Sequence, residues 1–384
     1  MKEYRITFNK PFIVGKELYY IAQAVLAGHL SGDGPYTKRC HKWLQNNLKC
    51  SKALLTHSCT AALEMAAILC DIKPGDEIIM PSFTFVSTAN AFVLRGGVPV
   101  FVDIRPDTLN INEELIESAI TEKTKVIVPV HYAGISCAMD TIIKTARKYN
   151  LLVVEDAAQS LLSTYNRKFL GTIGDLGCLS FHETKNVISG EGGALLINNP
   201  DFVERAEIIR EKGTNRSKFF RGEIDKYTWV DIGSSFLPSE LIGAFLYAQL
   251  EQAEKIIHTR RNIFDRYYKQ LKCLEDDGVL RLPIADDRCS TNGHIFYINT
   301  RSTEERTALI DFLRQKKIYA VFHYVSLHSS PAGKRYGRTC GDMKVTDDIS
   351  ARLLRLPLYY EMSPDDVDVV VSAIKQFYYG KLSS

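Results

Sequence analysis

The sequence predicts an α/β protein. We expect a large domain built on a mixed, mostly parallel sheet covered by helices, followed by a smaller α+β domain. Three observations lead to this prediction. Short apolar runs alternate with helix-like stretches over the front two-thirds of the 384 residues, as in sheets with helical crossovers. A long helical stretch comes next, and mixed strand and helix patterns follow it. We place the large domain at residues 1–250 and the small C-terminal domain at residues 251–384.

The apolar runs of the large domain are each short enough to form one buried strand. They lie at residues 53–55, 77–80, 98–102, 126–130, 151–154, 177–181 and 193–197. Helical patterns lie between or after them, at residues 60–69, 112–120, 138–149 and 202–212. This alternation predicts the order of elements in the large domain.

The helical stretch that begins after Pro238 is predicted to continue to about Leu271. Its length suits a helix that joins two domains. Beyond it, a strand is predicted at residues 294–300 and helices at residues 303–315 and 363–377. The mixture is typical of an α+β domain.

The charge of the chain argues against nucleic acid as a partner. Lys and Arg number 48 against 45 Asp and Glu, which gives a net charge of +3 at pH 7. Binding to a phosphate backbone requires Lys and Arg clustered on one face, and no such cluster is evident. A small anionic substrate is compatible with this charge.

The cysteines and the chain start indicate the compartment. None of the nine cysteines forms a Cys-x2-Cys pair, so we predict free thiols and no metal site. The first residues lack the apolar core of a signal peptide, and no apolar run is long enough to span a membrane. We expect a cytoplasmic protein with no membrane association.

Three groups of polar residues lie close after apolar runs. The turn His57-Ser58-Cys59-Thr60 opens a predicted helix, Asp156 follows the run at 151–154, and Lys185 follows the run at 177–181. In open α/β sheets, ligands bind at the carboxyl ends of the strands. We therefore expect the chemistry at these positions.

These groups fit pyridoxal phosphate (PLP). PLP needs an amine that holds its aldehyde as a Schiff base, and a carboxylate that keeps its pyridine nitrogen protonated. A lysine in a partly desolvated cleft has a lowered pKa, which makes it a nucleophile and proton shuttle. A helix that begins at Ser58-Cys59-Thr60 offers N–H groups and the positive end of its dipole to the phosphate. Each feature alone has an ordinary explanation, as a surface lysine or a helix cap, but their order favours a PLP site.

The whole chain resembles the DegT/DnrJ/EryC1/StrS family of sugar aminotransferases. The matching segments are PSFTFVSTAN at 81–90, VPVHYAG at 128–134, EDAAQ at 155–159, SFHETKN at 180–186 and GEGG at 190–193, with further matches at 323–328 and 356–359. The resemblance implies the type I PLP-aminotransferase fold, PLP as cofactor and a homodimer.

The resemblance also assigns roles at the cofactor ring. Lys185 would be the Schiff-base lysine, and Asp156 would pair with the pyridine nitrogen. Gln159 would contact the 3-hydroxyl side of the ring. Phe85 would stack on the ring face opposite the lysine.

Further assignments concern the phosphate and the substrate. Thr60 and Ser180 would bind the phosphate with help from the backbone at Cys59, and His323 and His328 would lie near the substrate. The sequence departs from the family pattern at two positions. Many relatives have Gly where this chain has Cys59. Where many relatives send an Asn to the partner subunit's phosphate, this chain has Ser235.

A subgroup of the family matches more closely, through residues 31–37, 182–186, 210–217 and 225–235. Its members use L-glutamate to aminate dTDP-4-keto-6-deoxy-D-glucose at C4, in the synthesis of enterobacterial surface polysaccharides. The resemblance therefore implies L-glutamate and a dTDP-keto-sugar as substrates.

Several alternatives stay open at this point. The product can have the galacto or gluco configuration, the amine can be at C3 or C4, and the carrier can be dTDP or UDP. Two other functions occur on this fold. PLP-dependent sugar dehydratases carry His in place of the lysine, and a non-catalytic regulator would be expected to lose Lys185 or Asp156. Both residues are present, which favours an aminotransferase.

Overall fold

A computed structural model describes residues 4–285 and 287–382 of the chain. The strands are β1 (Lys52–Thr56), β2 (Glu77–Pro81), β3 (Val98–Val102), β4 (Thr124–Ile127), β5 (Leu152–Asp156), β6 (Thr164–Tyr165), β7 (Lys168–Phe169), β8 (Leu176–Ser180), β9 (Gly193–Ile197), β10 (Leu280–Arg281), β11 (Cys289–Ser290), β12 (Phe296–Thr300), β13 (Arg338–Thr339) and β14 (Leu353–Leu356).

The helices alternate with the strands along the chain. They are α1 (Glu17–Leu26), α2 (Pro35–Leu48), α3 (Cys59–Leu69), α4 (Val86–Val93), α5 (Ile116–Ala119), α6 (Met139–Lys148), α7 (Val203–Arg210), α8 (Arg216–Phe220), α9 (Glu240–Leu250), α10 (Ala253–Asp276), α11 (Thr303–Gln315), α12 (Pro331–Tyr336), α13 (Lys344–Arg352) and α14 (Pro364–Leu382). Among the described residues, none of these helices is long and apolar enough to cross a bilayer.

The large sheet has eight strands in the order β1-β9-β8-β5-β4-β2-β3-β13. Strand β9 runs antiparallel to both of its neighbours, and the pairs from β8 to β13 are parallel. The predicted mixed, mostly parallel sheet is therefore confirmed. Each of the predicted apolar runs contributes a strand to this sheet. The strands are buried almost throughout, which explains why their sequences are apolar.

The strand predicted at residues 126–130 is shorter in the structure. Strand β4 ends at Ile127, and Val130 makes only an isolated parallel bridge with Asp156. Pro129 has no N–H group to donate, so it cannot continue a ladder on both sides. Its carbonyl still accepts a hydrogen bond of 2.9 Å from the Asp156 N–H, which holds the end of β5 in place.

The single helix predicted from Pro238 to about Leu271 is wrong. The chain forms two helices, α9 and α10, which are separated at Glu251 and Gln252. Gln252 leaves the helical conformation with φ −112° and ψ 7°. The apolar pattern does not reveal this break, because Leu250 and Ala253 on its two sides are buried in the same cluster.

A second sheet, in the order β10-β12-β14, lies in the C-terminal part of the chain. Its apolar side packs with α10, α11 and α14 in a separate core cluster that includes Phe296, Ile298 and Leu354. Several contacts cross the predicted boundary. Ile6 belongs to this second cluster, and β13 pairs with β3 of the large sheet. The division at residue 250 stays a prediction.

Candidate active site

A cavity of about 640 Å³ lies at the carboxyl ends of β5 and β8, which end at Asp156 and Ser180. This is the position expected for a ligand in an open α/β sheet. The structure brings most of the predicted site residues to its wall, namely Cys59, Thr60, Phe85, Asp156, Gln159, Ser180, Lys185 and His323.

Lys185 lies in the loop that joins the antiparallel strands β8 and β9. Backbone hydrogen bonds close the loop, from Glu183 N–H to Gly190 O at 2.8 Å and from Lys185 N–H to His182 O at 2.9 Å. The next residue, Asn186, is buried and fixes the loop to the C-terminal part of the chain. Its Nδ2 donates to the carbonyl of Asn292 at 3.0 Å.

The other side of the Asn186 amide contacts His294. Its Oδ1 lies 2.9 Å from His294 Nδ1. Burial lowers the pKa of His294 well below its usual 6.5, so the ring is neutral and its Nδ1–H donates to Asn186. These contacts position the backbone next to Lys185.

The surroundings of Lys185 favour its neutral amine. Burial lowers the pKa of Lys185 from its ordinary 10.5, and the positive charge of Arg355 acts in the same direction. Cys59 and Asp156 oppose this shift. A neutral amine is the form that can attack an aldehyde.

Asp156 is 5% exposed and its carboxylate is held by two donors. Thr88 Oγ1 donates to Oδ2 at 2.7 Å, and the Ala158 N–H donates to Oδ1 at 3.2 Å. Each carboxylate oxygen keeps further acceptor capacity. The carboxylate can therefore accept a further hydrogen bond from a protonated ring nitrogen.

Gln159 is also fixed at both ends of its amide. Its Oε1 accepts from the Ala133 N–H at 2.7 Å, and its Nε2 donates to the Tyr324 hydroxyl at 2.7 Å. Tyr324 lies 6.4 Å from Phe85 between ring centroids, and the Phe85 side chain is 57% exposed. One wall of the cavity thus combines an amide with aromatic surface.

The start of α3 forms a place for an anion. Ser58 caps the helix by accepting from the Ala61 N–H at 3.0 Å, and Thr60 Oγ1 lies 2.8 Å from Ser87 Oγ. Gly193 passes very close to this turn. A Cβ on Gly193 would lie 2.4 Å from the Ser58 carbonyl carbon and 2.5 Å from the Cys59 nitrogen.

The residues present fit PLP. The N–H groups at the start of α3 suit the phosphate. Because Gly193 has no side chain, it can pass close to the backbone of Ser58 and Cys59 without displacing the turn before α3. Asp156 suits the ring nitrogen and Lys185 the aldehyde. No group of three or more His, Cys, Asp or Glu in the described ranges is arranged to hold a metal ion.

The two predicted substrate histidines lie in different places. His323 lines the cavity, and its Nδ1 is 2.7 Å from the Tyr132 hydroxyl. Burial lowers the pKa of His323 well below 6.5, so the ring is neutral and Tyr132 donates to it. His328 is not among the lining residues. Its Nδ1 lies 2.8 Å from Ser82 Oγ and its Nε2 3.4 Å from Asp347.

Ser235 also lies away from this cavity wall. Its side chain is exposed, and its backbone forms a bridge with Glu211.

Sequence reasoning missed several residues of the cavity wall, namely Phe8, Thr84, Thr88, His294, Tyr324 and Arg355. Two of these residues could have been found from their positions in the sequence. Thr88 follows Thr84 by one helical turn in the quoted segment 81–90, and Tyr324 is adjacent to His323. Nothing in the local pattern around Phe8 indicates a site, and Arg355 directly precedes the family match at 356–359 without belonging to it.

Comparison with protein families gives one match over nearly the whole chain. The DegT/DnrJ/EryC1/StrS aminotransferase family model matches residues 12–375. The spore coat polysaccharide biosynthesis protein SpsC of Bacillus subtilis (strain 168) is 31% identical, with 98% of this chain and 97% of the relative covered. GDP-perosamine synthase of Escherichia coli O157:H7 is 29% identical, with 98% and 99% covered.

Solved structures have the same fold. Spr1654 from Streptococcus pneumoniae, a candidate sugar aminotransferase solved in PLP and PMP forms, superimposes with a TM-score of 0.90 at 26% identity. In its PMP form, 99% of each chain is covered. The likeness therefore includes both the large sheet and the C-terminal part of the chain.

Proposed function

This chain belongs to the DegT/DnrJ/EryC1/StrS aminotransferase family, and on that basis we propose that it transfers the amino group of L-glutamate to dTDP-4-keto-6-deoxy-D-glucose. The product would be dTDP-4-amino-4,6-dideoxy-D-galactose, for surface-polysaccharide synthesis. Aminotransferases of this family act on sugar substrates and use PLP. The nucleotide, the position of the amine and its configuration belong to the proposal.

One observation carries the proposal. Lys185 and Asp156, which are 29 positions apart in the numbering, line one cavity and interact electrostatically. A lysine with a lowered pKa beside a buried carboxylate is the pair that PLP chemistry needs. A sugar dehydratase would be expected to carry His at position 185, and the presence of the lysine argues against that alternative.

The proposed roles of the residues follow from their places in the cavity. When bound, PLP withdraws electrons from the carbon that carries the transferred amino group and stores that group between two half-reactions. Lys185 Nζ would hold the cofactor covalently, and Asp156 would pair with its ring nitrogen. The N–H groups at Cys59 and Thr60, with the Ser180 hydroxyl, would bind the phosphate.

Lys185 would also move the proton in each half-reaction. In the first, its Nζ would accept the proton from the α-carbon of glutamate. In the second, its Nζ would donate a proton to C4 of the sugar. The face of C4 that meets Nζ then decides between the galacto and gluco products. Phe85 and Gln159 would fix the plane in which the ring lies.

Support for the dTDP-linked sugar comes from the subgroup resemblance at residues 31–37, 182–186, 210–217 and 225–235. The name of one relative, GDP-perosamine synthase, favours a GDP-linked sugar as the second candidate. A 640 Å³ cavity is in the usual size range of small-molecule sites and accommodates part of either substrate.

A homodimer is also part of the proposal. The segment that precedes Ser235 exposes large apolar side chains, among them Phe220 at 66% and Trp229 at 79%. An exposed apolar patch of this kind is typical of a protein interface. Light scattering of the purified protein would give the mass of a dimer. Action in the cytoplasm likewise stays a prediction.

The test starts from the purified protein loaded with PLP. L-glutamate should bleach the yellow colour, and dTDP-4-keto-6-deoxy-D-glucose should restore it. NMR of the product would then give the position and configuration of the amine. A parallel reaction with the GDP-linked 4-keto-6-deoxy sugar decides the carrier. Absence of turnover with the dTDP sugar would refute the substrate assignment.

The lysine has its own test. Borohydride reduction of the loaded wild-type protein should fix the cofactor on the peptide that contains Lys185, as seen by mass spectrometry. Lys185→Arg should remain unlabelled at that position and inactive, since the guanidinium stays protonated. Labelling elsewhere in the wild-type protein would contradict the assignment.

A further inference from the structure

Arg355 on β14 lines the cavity. Its Nε and Nη2 donate to the Phe322 carbonyl at 3.2 and 3.1 Å, and its guanidinium lies 4.7 Å from the centre of the Phe8 ring. Across residues 4–285 and 287–382, no carboxylate forms an ion pair with it. The guanidinium is therefore held in place but not neutralised.

A partly buried cation without a counter-charge is unfavourable. Burial lowers the pKa of Arg355, although the phenols of Tyr132 and Tyr324 oppose this effect. One carbonyl and one aromatic face recover only part of the lost hydration. The guanidinium nevertheless stays protonated near neutral pH. Such a group is arranged to receive an anion from outside the chain.

We propose that Arg355 binds the carboxylate of the amino-acid donor. This inference rests on the proposed function and names the residue that recognises its first substrate. A planar guanidinium with N–H groups in a fork matches the two oxygens of a carboxylate. The Phe322 carbonyl and the Phe8 ring contact the guanidinium and fix its orientation.

The position of Arg355 favours the donor over the sugar nucleotide. It lines the same cavity as Lys185, His294 and His323, and its charge lowers the pKa of each of them. In an α-amino acid, the carboxylate is bonded directly to the carbon that reacts. In the sugar nucleotide, the diphosphate is attached at C1, across the sugar ring from C4. A cation near Lys185 therefore fits the donor.

The second substrate can still enter the same cavity. Arg355 keeps its contacts to Phe322 and Phe8 when no carboxylate is present, so it needs no new partner in the second half-reaction. Loss of Arg355 should therefore affect the two substrates unequally.

The test compares Arg355→Gln and Arg355→Lys with the wild-type protein loaded with PLP. The matched control is Arg335→Gln, because Arg335 is exposed and lies 5.0 Å from the Tyr336 ring outside the cavity. The first readout is kcat/KM for bleaching by L-glutamate. The second is calorimetric binding of glutarate, which has carboxylates but no amine. The third is KM for the sugar nucleotide that the enzyme uses.

For Arg355→Gln we expect kcat/KM for glutamate to fall by on the order of 100-fold, because a charge-assisted pair is lost. Glutarate binding should weaken by at least about tenfold, and the KM of the sugar nucleotide should change by less than about threefold. For Arg355→Lys we expect values of kcat/KM for glutamate and of glutarate affinity between those of the wild type and Arg355→Gln. Lysine keeps the charge but loses the paired N–H groups of the guanidinium. Arg335→Gln should match the wild type.

Two results overturn the inference. One is an Arg355→Gln protein whose glutamate and glutarate values stay within about threefold of the wild type. The other is a larger effect on the sugar nucleotide than on glutamate, which would make a phosphate the bound anion. If wild-type protein fails to react with glutamate, the proposed function fails, while glutarate binding still decides whether Arg355 holds a carboxylate. Thermal unfolding of each variant checks that it is folded.

Discussion

Thr88 Oγ1 donates a hydrogen bond of 2.7 Å to Asp156 Oδ2. Thr84 Oγ1 lies 2.8 Å from Thr88 Oγ1. Since the Thr88 proton goes to the carboxylate, Thr84 donates to Thr88. Both threonines are buried, so this short chain of hydroxyl groups orients the carboxylate from the side of α4.

Replacement of Thr88 by valine tests this contact. Thr88→Val keeps the shape and removes the donor, which leaves Asp156 with less support. We expect kcat to fall by about tenfold, the equivalent of one hydrogen bond to a charged group. Thr88→Ser should recover most of the activity. Equal kcat values for the valine variant and the wild type would show that the contact does not orient Asp156.

The pH dependence of cofactor binding follows from the surroundings of Lys185. Burial lowers the pKa of Lys185 below 10.5, so its neutral amine appears at lower pH than that of an exposed lysine. The rate at which apoprotein condenses with PLP should therefore rise with pH, with its midpoint below pH 10.5. Stopped-flow absorbance at a series of pH values measures this rate.

Two variants should move that profile in opposite directions. Asp156 raises the pKa of Lys185, so Asp156→Asn should shift the midpoint to lower pH. Arg355 lowers the pKa, so Arg355→Gln should shift the midpoint to higher pH. A shift of both midpoints in one direction would contradict this electrostatic account.

Glu155 is a structural support next to the site. Its side chain is 0% exposed and accepts from the N–H groups of Gly171, Ile173 and Gly174 at 2.8, 2.6 and 2.7 Å. His131 Nε2 lies 2.8 Å from the same carboxylate. Four donors therefore surround two oxygens.

Glu155→Gln should destabilise the protein by about 3 kcal/mol, because its new NH₂ group would face N–H donors. The urea concentration at half-unfolding should fall accordingly. Glu122→Gln is the matched control, since Glu122 is exposed, and its midpoint should stay near that of the wild type. A wild-type midpoint for Glu155→Gln would mean that the loop at 171–174 does not depend on the carboxylate.

Gly193 should be sensitive to the smallest substitution. The Cβ of Gly193→Ala would meet backbone atoms of Ser58 and Cys59 at 2.4 and 2.5 Å, and backbone cannot rotate away. The turn at the start of α3 must shift, so we expect PLP to bind about tenfold more weakly. Titration of the apoprotein with PLP measures the affinity. Gly380→Ala is the control, because a Cβ there meets nothing within 4 Å.

The local pattern of the sequence predicted the large sheet well. Each apolar run became a strand because a buried parallel strand needs a short run of apolar residues and little else. Helix α11 was predicted at its observed bounds, Thr303–Gln315, since Ser302 caps it and accepts from the Glu305 N–H. The break between α9 and α10 was missed because apolar periodicity continues through a bend.

The site was predicted only in part. The order of the turn at Ser58, Asp156 and Lys185 pointed to PLP, and the structure places all three on one cavity. Their roles stay predictions until the variants are measured. His328 contacts Ser82 and Asp347 and is not among the residues that line the cavity, and its place beside the substrate stays a prediction.

The sequence by itself determined the class of fold and the choice of PLP as cofactor, because periodicity, helix caps and the order of functional groups can be read directly along the chain. Only the tertiary structure decided which distant residues complete the site. Phe8 and Arg355, 347 positions apart in the numbering, meet at 4.7 Å. Such a contact depends on how the N-terminal segment and the C-terminal sheet pack together, and packing between remote segments leaves no local pattern.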